Sequence, residues 1–223
     1  MNDVVLYATD TMADWEYSYL TAGLAMAAEQ EPDRFRLRVL ADGQDQVTTK
    51  GRLRMRTDGD LDEVAPEGVA LLVLPGADTW SDGHERVLEL ARVLVERQTP
   101  VAGICGATYG LARAGLLDDR AHTSNAPDFL VPSGYAGADR YVDERVADDG
   151  GVITAPATAP VDFAAAVFRR LELFPPPVID AWYGLYTTGE RRYFDALVGQ
   201  STECRGARGT GTGRRRRVGR ARR

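Results

Sequence analysis

Residues 101–112 read Val101-Ala102-Gly103-Ile104-Cys105-Gly106-Ala107-Thr108-Tyr109-Gly110-Leu111-Ala112. An apolar, strand-like run ends at the cysteine, and the apolar spacing typical of a helix starts directly after it. Gly103 and Gly106 flank the sulfur, as the tight turn of a nucleophile elbow requires. The pattern predicts a reactive thiol at Cys105, at the N-terminus of a helix that should lower its pKa. The alternative interpretation is a small cysteine buried in the core.

Length and composition place this elbow in an ordinary globular domain. The chain has 223 residues, of which 44% are hydrophobic and 27% charged, enough for one domain with a sizeable core. We assign that domain to residues 1–200. Two cysteines make no disulfide framework, and no apolar run approaches the roughly 18 residues of a membrane helix. We therefore expect a reduced, soluble, cytoplasmic protein without a membrane partner.

The last residues differ in composition from the rest. Residues 201–223 contain nine arginines, several glycines and one acid, Glu203, whereas the chain as a whole has a net charge of −6. So few apolar residues cannot offset the entropy of ordering, and we predict a disordered, solvated tail. Its arginines lack interleaved aromatic residues, so weak contact with nucleic-acid phosphates is only the alternative reading.

Strand-like and helix-like segments alternate along the chain. The patterns predict strands at 3–9, 35–40, 52–55, 70–74, 101–104, 141–146 and 152–154, and helices at 15–29, 85–97, after Cys105, and at 161–171. Pro175-Pro176-Pro177 is expected to end the last helix. This alternation predicts an α/β fold with a mostly parallel sheet between two layers of helices.

Open α/β sheets place their ligand sites at the carboxyl ends of the strands. Asp14 and Glu16 follow the first strand, as candidate site acids or as acids of a helix first turn. Gly76 and Ala77 follow the 70–74 strand, where free backbone N–H groups would form an oxyanion site. Trp80, three residues later, is a candidate substrate-binding side chain.

Several motifs together resemble the ThiJ/PfpI family of the class I glutamine amidotransferase-like superfamily. They are Ala13-Asp14-Trp15-Glu16, Leu74-Pro75-Gly76, Ala102-Gly103-Ile104-Cys105-Gly106-Ala107, Ala114-Gly115-Leu116-Leu117, His122-Thr123-Ser124-Asn125 and Ile153-Thr154-Ala155. The type 1 glutamine amidotransferase-like branch is the most similar. The resemblance implies a flavodoxin-like three-layer sandwich, a homodimer, a reactive Cys105, and a protonated Glu16 that donates a hydrogen bond to the thiolate. Gly106 and Asn125 join the expected binding residues.

The sequence departs from the family in the residue that would act as the catalytic base. Gly106 stands where protease-like members have a histidine, and no histidine lies in residues 154–162. His122 is the candidate base that remains, the alternative being a histidine that hydrogen-bonds the loop backbone. No paired ligands predict a metal site, and neither a Walker A motif nor a GxGxxG turn predicts a nucleotide cofactor, so we expect no metal and no cofactor.

Three hypotheses follow for function. In the first, Cys105 attacks a small carbonyl, nitrile-like or amide substrate, as in a cysteine-dependent hydrolase or lyase. In the second, the thiol is a redox or stress sensor that is oxidised without turnover. In the third, the cysteine belongs to an inactive binding fold. The fold alone does not select among them.

Overall fold

The computed structural model describes the backbone of residues 1–208 and the side chains of residues 1–199. Its strands are β1 (Asn2–Tyr7), β2 (Phe35–Ala41), β3 (Gln46–Thr48), β4 (Arg54–Arg56), β5 (Gly59–Asp60), β6 (Val69–Leu74), β7 (Val101–Ile104), β8 (Ala147–Asp149) and β9 (Val152–Ala155). Its helices are α1 (Asp14–Ala28), α2 (Glu85–Glu96), α3 (Gly106–Arg113), α4 (Pro127–Leu130), α5 (Pro160–Arg170), α6 (Pro176–Thr188) and α7 (Arg191–Arg208).

A seven-stranded sheet forms the middle layer, in the order β5-β2-β1-β6-β7-β9-β8. All neighbouring strands are parallel except β8, which pairs antiparallel with β9. The strands β1, β6 and β7 lie side by side in the sheet, so the loops that follow them meet at its carboxyl-terminal edge. That edge is where the sequence placed Glu16, Gly76 and Cys105.

The two faces of the sheet bury separate cores. Along β1, Val4 and Leu6 face one core, whereas Val5 and Tyr7 face the other, as the two-residue period of a strand requires. The first core takes residues from α1, α5 and α6, and the second takes residues from α2 and α3. The predicted flavodoxin-like three-layer α/β sandwich with a mostly parallel sheet is therefore confirmed.

Some predicted elements differ in detail. The strand predicted at 52–55 is β4, which pairs with β3 in a separate hairpin outside the main sheet. Residues 141–146 are not a strand, apart from a single bridge between His122 and Tyr141, and the partner of β9 is β8. Tyr141, Val142 and Val146 favour a strand locally, but no neighbouring strand in the described part of the chain pairs with this segment.

The C-terminal helices were not predicted. Pro176 starts α6 because a proline at the first helical position loses no hydrogen bond, so the proline run both ends one segment and opens another. The helix α7 continues through Arg208, past the boundary expected at residue 200. The rest of the expected disordered tail, 209–223, lies outside the described residues. Within the described part, none of the helices has the length and apolar character needed to cross a bilayer.

Candidate functional site

Cys105 occupies a strained turn between β7 and α3. Its φ is 56° and its ψ −121°, a conformation that a residue with a side chain rarely adopts. The backbone N–H of Cys105 donates to the carbonyl of Ala155 at 2.9 Å, which fixes the end of β7 against β9. The strand-to-helix geometry of a nucleophile elbow is present, as the sequence predicted.

Gly76 brings the β6 loop into contact with this elbow. A Cβ at residue 76 would lie 2.7 Å from the Cβ of Cys105 and 2.8 Å from Oε2 of Glu16, so only a glycine fits there. The carbonyl of Gly76 also accepts from the N–H of Ala13, at 2.9 Å. The loops after β1 and β6 are thereby joined beside the sulfur.

Glu16 reaches the sulfur from the first turn of α1. Its side chain is fully buried, and Oε2 accepts a 2.6 Å hydrogen bond from the N–H of Gly76. The carboxyl lies against the thiol of Cys105. Its other oxygen, Oε1, is buried and receives no hydrogen bond of good geometry from the residues that the structure describes. Burial raises the pKa of Glu16 from 4.5 to about 7, although the Gly76 N–H opposes the rise.

The thiol of Cys105 differs from the sequence-based prediction. Burial, and then the negative charge of Glu16, raise the pKa of Cys105 to about 11. The prediction of a lowered pKa is therefore wrong on this structure, because burial outweighs the helix terminus and the charge of Glu16 adds to the effect of burial. Burial favours the uncharged form of each group, and a charged Glu16 further disfavours the thiolate. The family-based expectation was instead a protonated Glu16 beside a thiolate.

Asn125 contacts the sulfur from the opposite side. Its Nδ2 lies 3.4 Å from Sγ of Cys105, and its Oδ1 accepts from the N–H of Ala157 at 2.9 Å. Because the Ala157 N–H can only donate, it orients the amide so that an N–H points at the sulfur. Asn125 therefore supplies a proton donor to the thiol, and an amide cannot serve as the base.

The backbone donors beside the sulfur are fewer than predicted. The N–H of Gly76, expected in an oxyanion site, already donates to Glu16. The N–H of Gly106 opens α3 and lies against the sulfur of Cys105. Its Cα packs closely on Ala77, since a Cβ at Gly106 would lie 3.2 Å from the N of Ala77. The carbonyl oxygen of Ala77 is closer still, at 2.8 Å from that Cβ, so the backbone of Ala77 packs directly on the start of α3.

His122 does not contact the thiol. Its ring is fully buried, with Nδ1 2.9 Å from the carbonyl of Arg120 and Nε2 3.3 Å from the hydroxyl of Tyr135. The ring also packs edge-on against Tyr135 and Tyr141. Both nitrogens are engaged away from Cys105, so the structure corresponds to the alternative of a histidine bonded to the loop backbone.

Trp80 and Asp14 also lie differently from the expectation. Trp80 is 2% exposed and donates through Nε1 to the carbonyl of Pro75 at 2.9 Å, so its indole supports the loop after β6 from inside. Asp14 accepts from the N–H of Gly51 at 2.7 Å and so holds the β3–β4 hairpin. Neither side chain is placed against the sulfur by a described contact.

Two further residues at the elbow were not assigned a role from the sequence, although Ser124 lies in the quoted motif of residues 122–125. Thr108 and Ser124 are buried, and their hydroxyl oxygens lie 2.6 Å apart. A threonine in the first turn of a helix and a serine in a loop are common, so only the three-dimensional structure could identify the pair.

Other features of the surface lie away from this site. A groove of about 740 Å³ runs between the end of α1 and the α5–α6 connection, lined by residues such as Arg34, Arg169 and Phe174. It includes none of the candidate site residues. In the described part of the chain, no group of three or more His, Cys, Asp or Glu side chains is arranged to hold a metal ion.

Comparison with known proteins agrees with the fold described above. The model of the DJ-1/PfpI family matches residues 2–170. The chain is 37% identical over 200 residues to the uncharacterized protease YoaZ of Bacillus subtilis, covering 87% of this chain and 95% of that protein. It is 31% identical over 112 residues to the deglycase PfpI of Pyrococcus furiosus, covering 48% of this chain and 65% of that one. The crystal structure of a thiJ/pfpI family protein from Bacillus anthracis superposes with a TM-score of 0.81 at 34% identity, over 89% of this chain and 96% of that one.

Proposed function

Because the chain belongs to the DJ-1/PfpI family, we propose that it is a cysteine-dependent hydrolase or lyase whose Cys105 attacks a small carbonyl substrate. The observation that carries the proposal is the buried contact between Glu16 and Cys105 at a strained elbow. Perturbed titratable groups at the end of a central strand are typical of catalytic sites.

The pair supports nucleophilic attack without a histidine. As the sulfur bonds to the carbonyl carbon, the thiol proton moves to the carboxylate of Glu16, and the carbonyl oxygen takes the negative charge. A base is most effective when its pKa is near the working pH, and the pKa of Glu16 is raised by burial to about 7. Glu16 then returns the proton to the oxygen, so the adduct forms with no net gain or loss of protons.

Three N–H donors stabilise the negative charges that develop during this step. The amides of Ala77 and Gly106 are assigned to the developing oxyanion, in place of Gly76, whose N–H belongs to Glu16. Asn125 Nδ2 stabilises the sulfur as it gains negative charge. A preorganised donor of this kind typically contributes about 10²–10³ in rate.

A carbonyl suits these residues better than an amide does. Addition to a carbonyl needs one proton to move from sulfur to oxygen, which Glu16 alone can accomplish. Amide hydrolysis also needs a group that protonates the leaving amine and then activates water, the roles of histidine in cysteine proteases. The histidine that was expected to act there, His122, is engaged elsewhere. The deglycase name of one relative is compatible with carbonyl chemistry, and the protease name of another makes peptides a necessary comparison.

An activity screen of the pure protein tests the proposal. Glyoxals, isonitriles, glutamine and peptides are offered to the wild type, to Cys105→Ser and to a Cys204→Ser control. We expect turnover of glyoxals by the wild type and the control, and none by Cys105→Ser. Selective oxidation of Cys105 by peroxide, without turnover of any substrate, would support the redox sensor instead. Turnover that survives in Cys105→Ser would overturn the proposal.

A further inference from the structure

A buried pair of hydroxyls connects the elbow to the loop that carries Asn125. Oγ1 of Thr108 lies 2.5 Å from the carbonyl oxygen of Cys105 and 2.6 Å from Oγ of Ser124. Thr108 is 0% and Ser124 3% exposed. A carbonyl only accepts, so the hydroxyl of Thr108 donates to the carbonyl of Cys105, and the hydroxyl of Ser124 donates to Oγ1 of Thr108. The direction of both hydrogen bonds is thus fixed.

The segment 122–125, here called the strap, is held on its other side as well. The N–H of Thr123 donates to Oγ1 of Thr154 at 2.9 Å, and its hydroxyl donates to the carbonyl of Glu144, also at 2.9 Å. The hydroxyl of Tyr141 donates to the carbonyl of Ser124 at 3.2 Å. The backbone of the strap therefore has fixed partners, and the Thr108–Ser124 hydrogen bond is its side-chain link to the elbow.

Asn125 itself is exposed, in contrast to the buried hydroxyls beneath it. The N–H of Ala157 orients the Asn125 amide, but its distance from the sulfur depends on where the backbone of residue 125 lies. A 3.4 Å contact with sulfur is easily lengthened by a small movement of that backbone. Ser124 precedes Asn125 directly, so the position of the Ser124 hydroxyl sets where the strap lies relative to Cys105.

We propose that Thr108 and Ser124 are positioning residues, whose hydrogen bond holds the amide of Asn125 on the sulfur of Cys105. This inference rests on the proposed function of Cys105 as a nucleophile. Neither hydroxyl touches the reacting atoms; both act through the strap. The buried hydrogen bond thereby restricts the position of a donor that is itself exposed.

The test measures the sulfur directly, by its rate of alkylation with iodoacetamide over a range of pH in a Cys204→Ser background. Thr108→Val removes the hydroxyl at nearly constant shape, Ser124→Ala removes it from the other partner, and Thr108→Ser keeps it. Asn125→Ala removes the donor itself. We expect Thr108→Val, Ser124→Ala and Asn125→Ala each to slow alkylation at a fixed pH by roughly three- to tenfold, the scale of the net contribution of one hydrogen bond. Thr108→Ser should retain the wild-type rate.

A double variant separates positioning from a general loss of structure. Ser124→Ala combined with Asn125→Ala should be no slower than Asn125→Ala alone, because both changes remove the same contact. Thr187→Val, which removes a hydroxyl that donates to the carbonyl of Tyr183 at 2.7 Å within α6, is the matched control and should alkylate like the wild type. A double variant that alkylates more slowly than Asn125→Ala alone would overturn the inference. Wild-type rates in both Thr108→Val and Ser124→Ala would also overturn it.

Alkylation needs no turnover, so the two proposals can fail separately. If the variants slow alkylation as expected but the wild type turns over no substrate, the positioning role stands and the enzymatic function falls. If one hydroxyl variant does not fold, as judged by circular dichroism, the other still removes the same hydrogen bond.

Discussion

The carboxyl of Glu16 at the start of α1 lies against the thiol of Cys105 at the end of β7, and Gly76 closes the space beside both. These residues are far apart in the chain and meet because β1, β6 and β7 are neighbours in the sheet. Burial raises the pKa of both groups, and the charge of Glu16 raises the pKa of Cys105 further.

Replacing Glu16 by glutamine should change how stability depends on pH. The pKa of Glu16 rises from 4.5 to about 7 on folding, so the native state binds a proton that the unfolded state has released between these values. Stability conferred by the protonated acid is complete below about 4.5 and is lost as the pH rises through 7. The full shift corresponds to roughly 3 kcal/mol.

Urea unfolding at pH 5 and pH 8 measures this effect. Relative to the wild type, Glu16→Gln should gain about 2–3 kcal/mol in free energy of unfolding between the two pH values. Glu96→Gln, at an exposed position of α2, is the control and should follow the wild type. An equal pH dependence in Glu16→Gln and the wild type would show that Glu16 is not a buried acid.

Gly76→Ala should separate the pair. The new Cβ would come within 3 Å of both Cys105 and Glu16, and overpacking of this kind costs about 1–3 kcal/mol. We expect a lower melting temperature and slower alkylation of Cys105. Gly68→Ala is the matched control, since a Cβ there meets no atom within 4 Å. An unaltered alkylation rate in Gly76→Ala would show that the close approach does not matter to the thiol.

His122→Gln should affect stability but not the pH dependence of the thiol. The ring is buried with two hydrogen-bond partners, and the loss of such contacts costs about 1–3 kcal/mol. The pH profile of alkylation of Cys105 should keep its shape, whereas Glu16→Gln should change it. A profile that moves in His122→Gln would restore this histidine as a candidate base.

A homodimer stays a prediction from the family resemblance. Light scattering at micromolar concentration should give twice the mass of one chain. A mass equal to that of a single chain would contradict the prediction.

The elbow and the sheet could be predicted from the sequence because their signals are local. Four apolar residues, a cysteine and flanking glycines indicate a strand, a turn and a helix without reference to the rest of the chain. The proximity of Glu16 to Cys105 is not local, and here it came from the family resemblance. The rise in the pKa of Cys105 was missed because it depends first on burial of the thiol, which a local sequence pattern does not reveal.

Side-chain direction limited the remaining assignments. Trp80 lies in the loop after β6 and His122 in the loop after α3, yet one side chain turns back onto Pro75 and the other onto Arg120. Asn125, in the same loop as His122, does reach the sulfur. Position in a loop therefore predicted which segment meets the thiol, but not which of its side chains faces it.

The ionisation of Cys105, followed by thiolate absorbance in the ultraviolet against pH, tests the Glu16–Cys105 pair without any substrate. The experiment uses a Cys204→Ser background, with and without Glu16→Gln. We predict that the wild-type thiol is protonated at pH 8 and ionises with a pKa near the value of about 11 set by burial and the charge of Glu16. In Glu16→Gln that charge is absent, so the midpoint should fall. A thiolate already formed at pH 7 in the wild type, or a midpoint that rises in Glu16→Gln, would contradict the assignment of Glu16 as the carboxylate that receives the thiol proton.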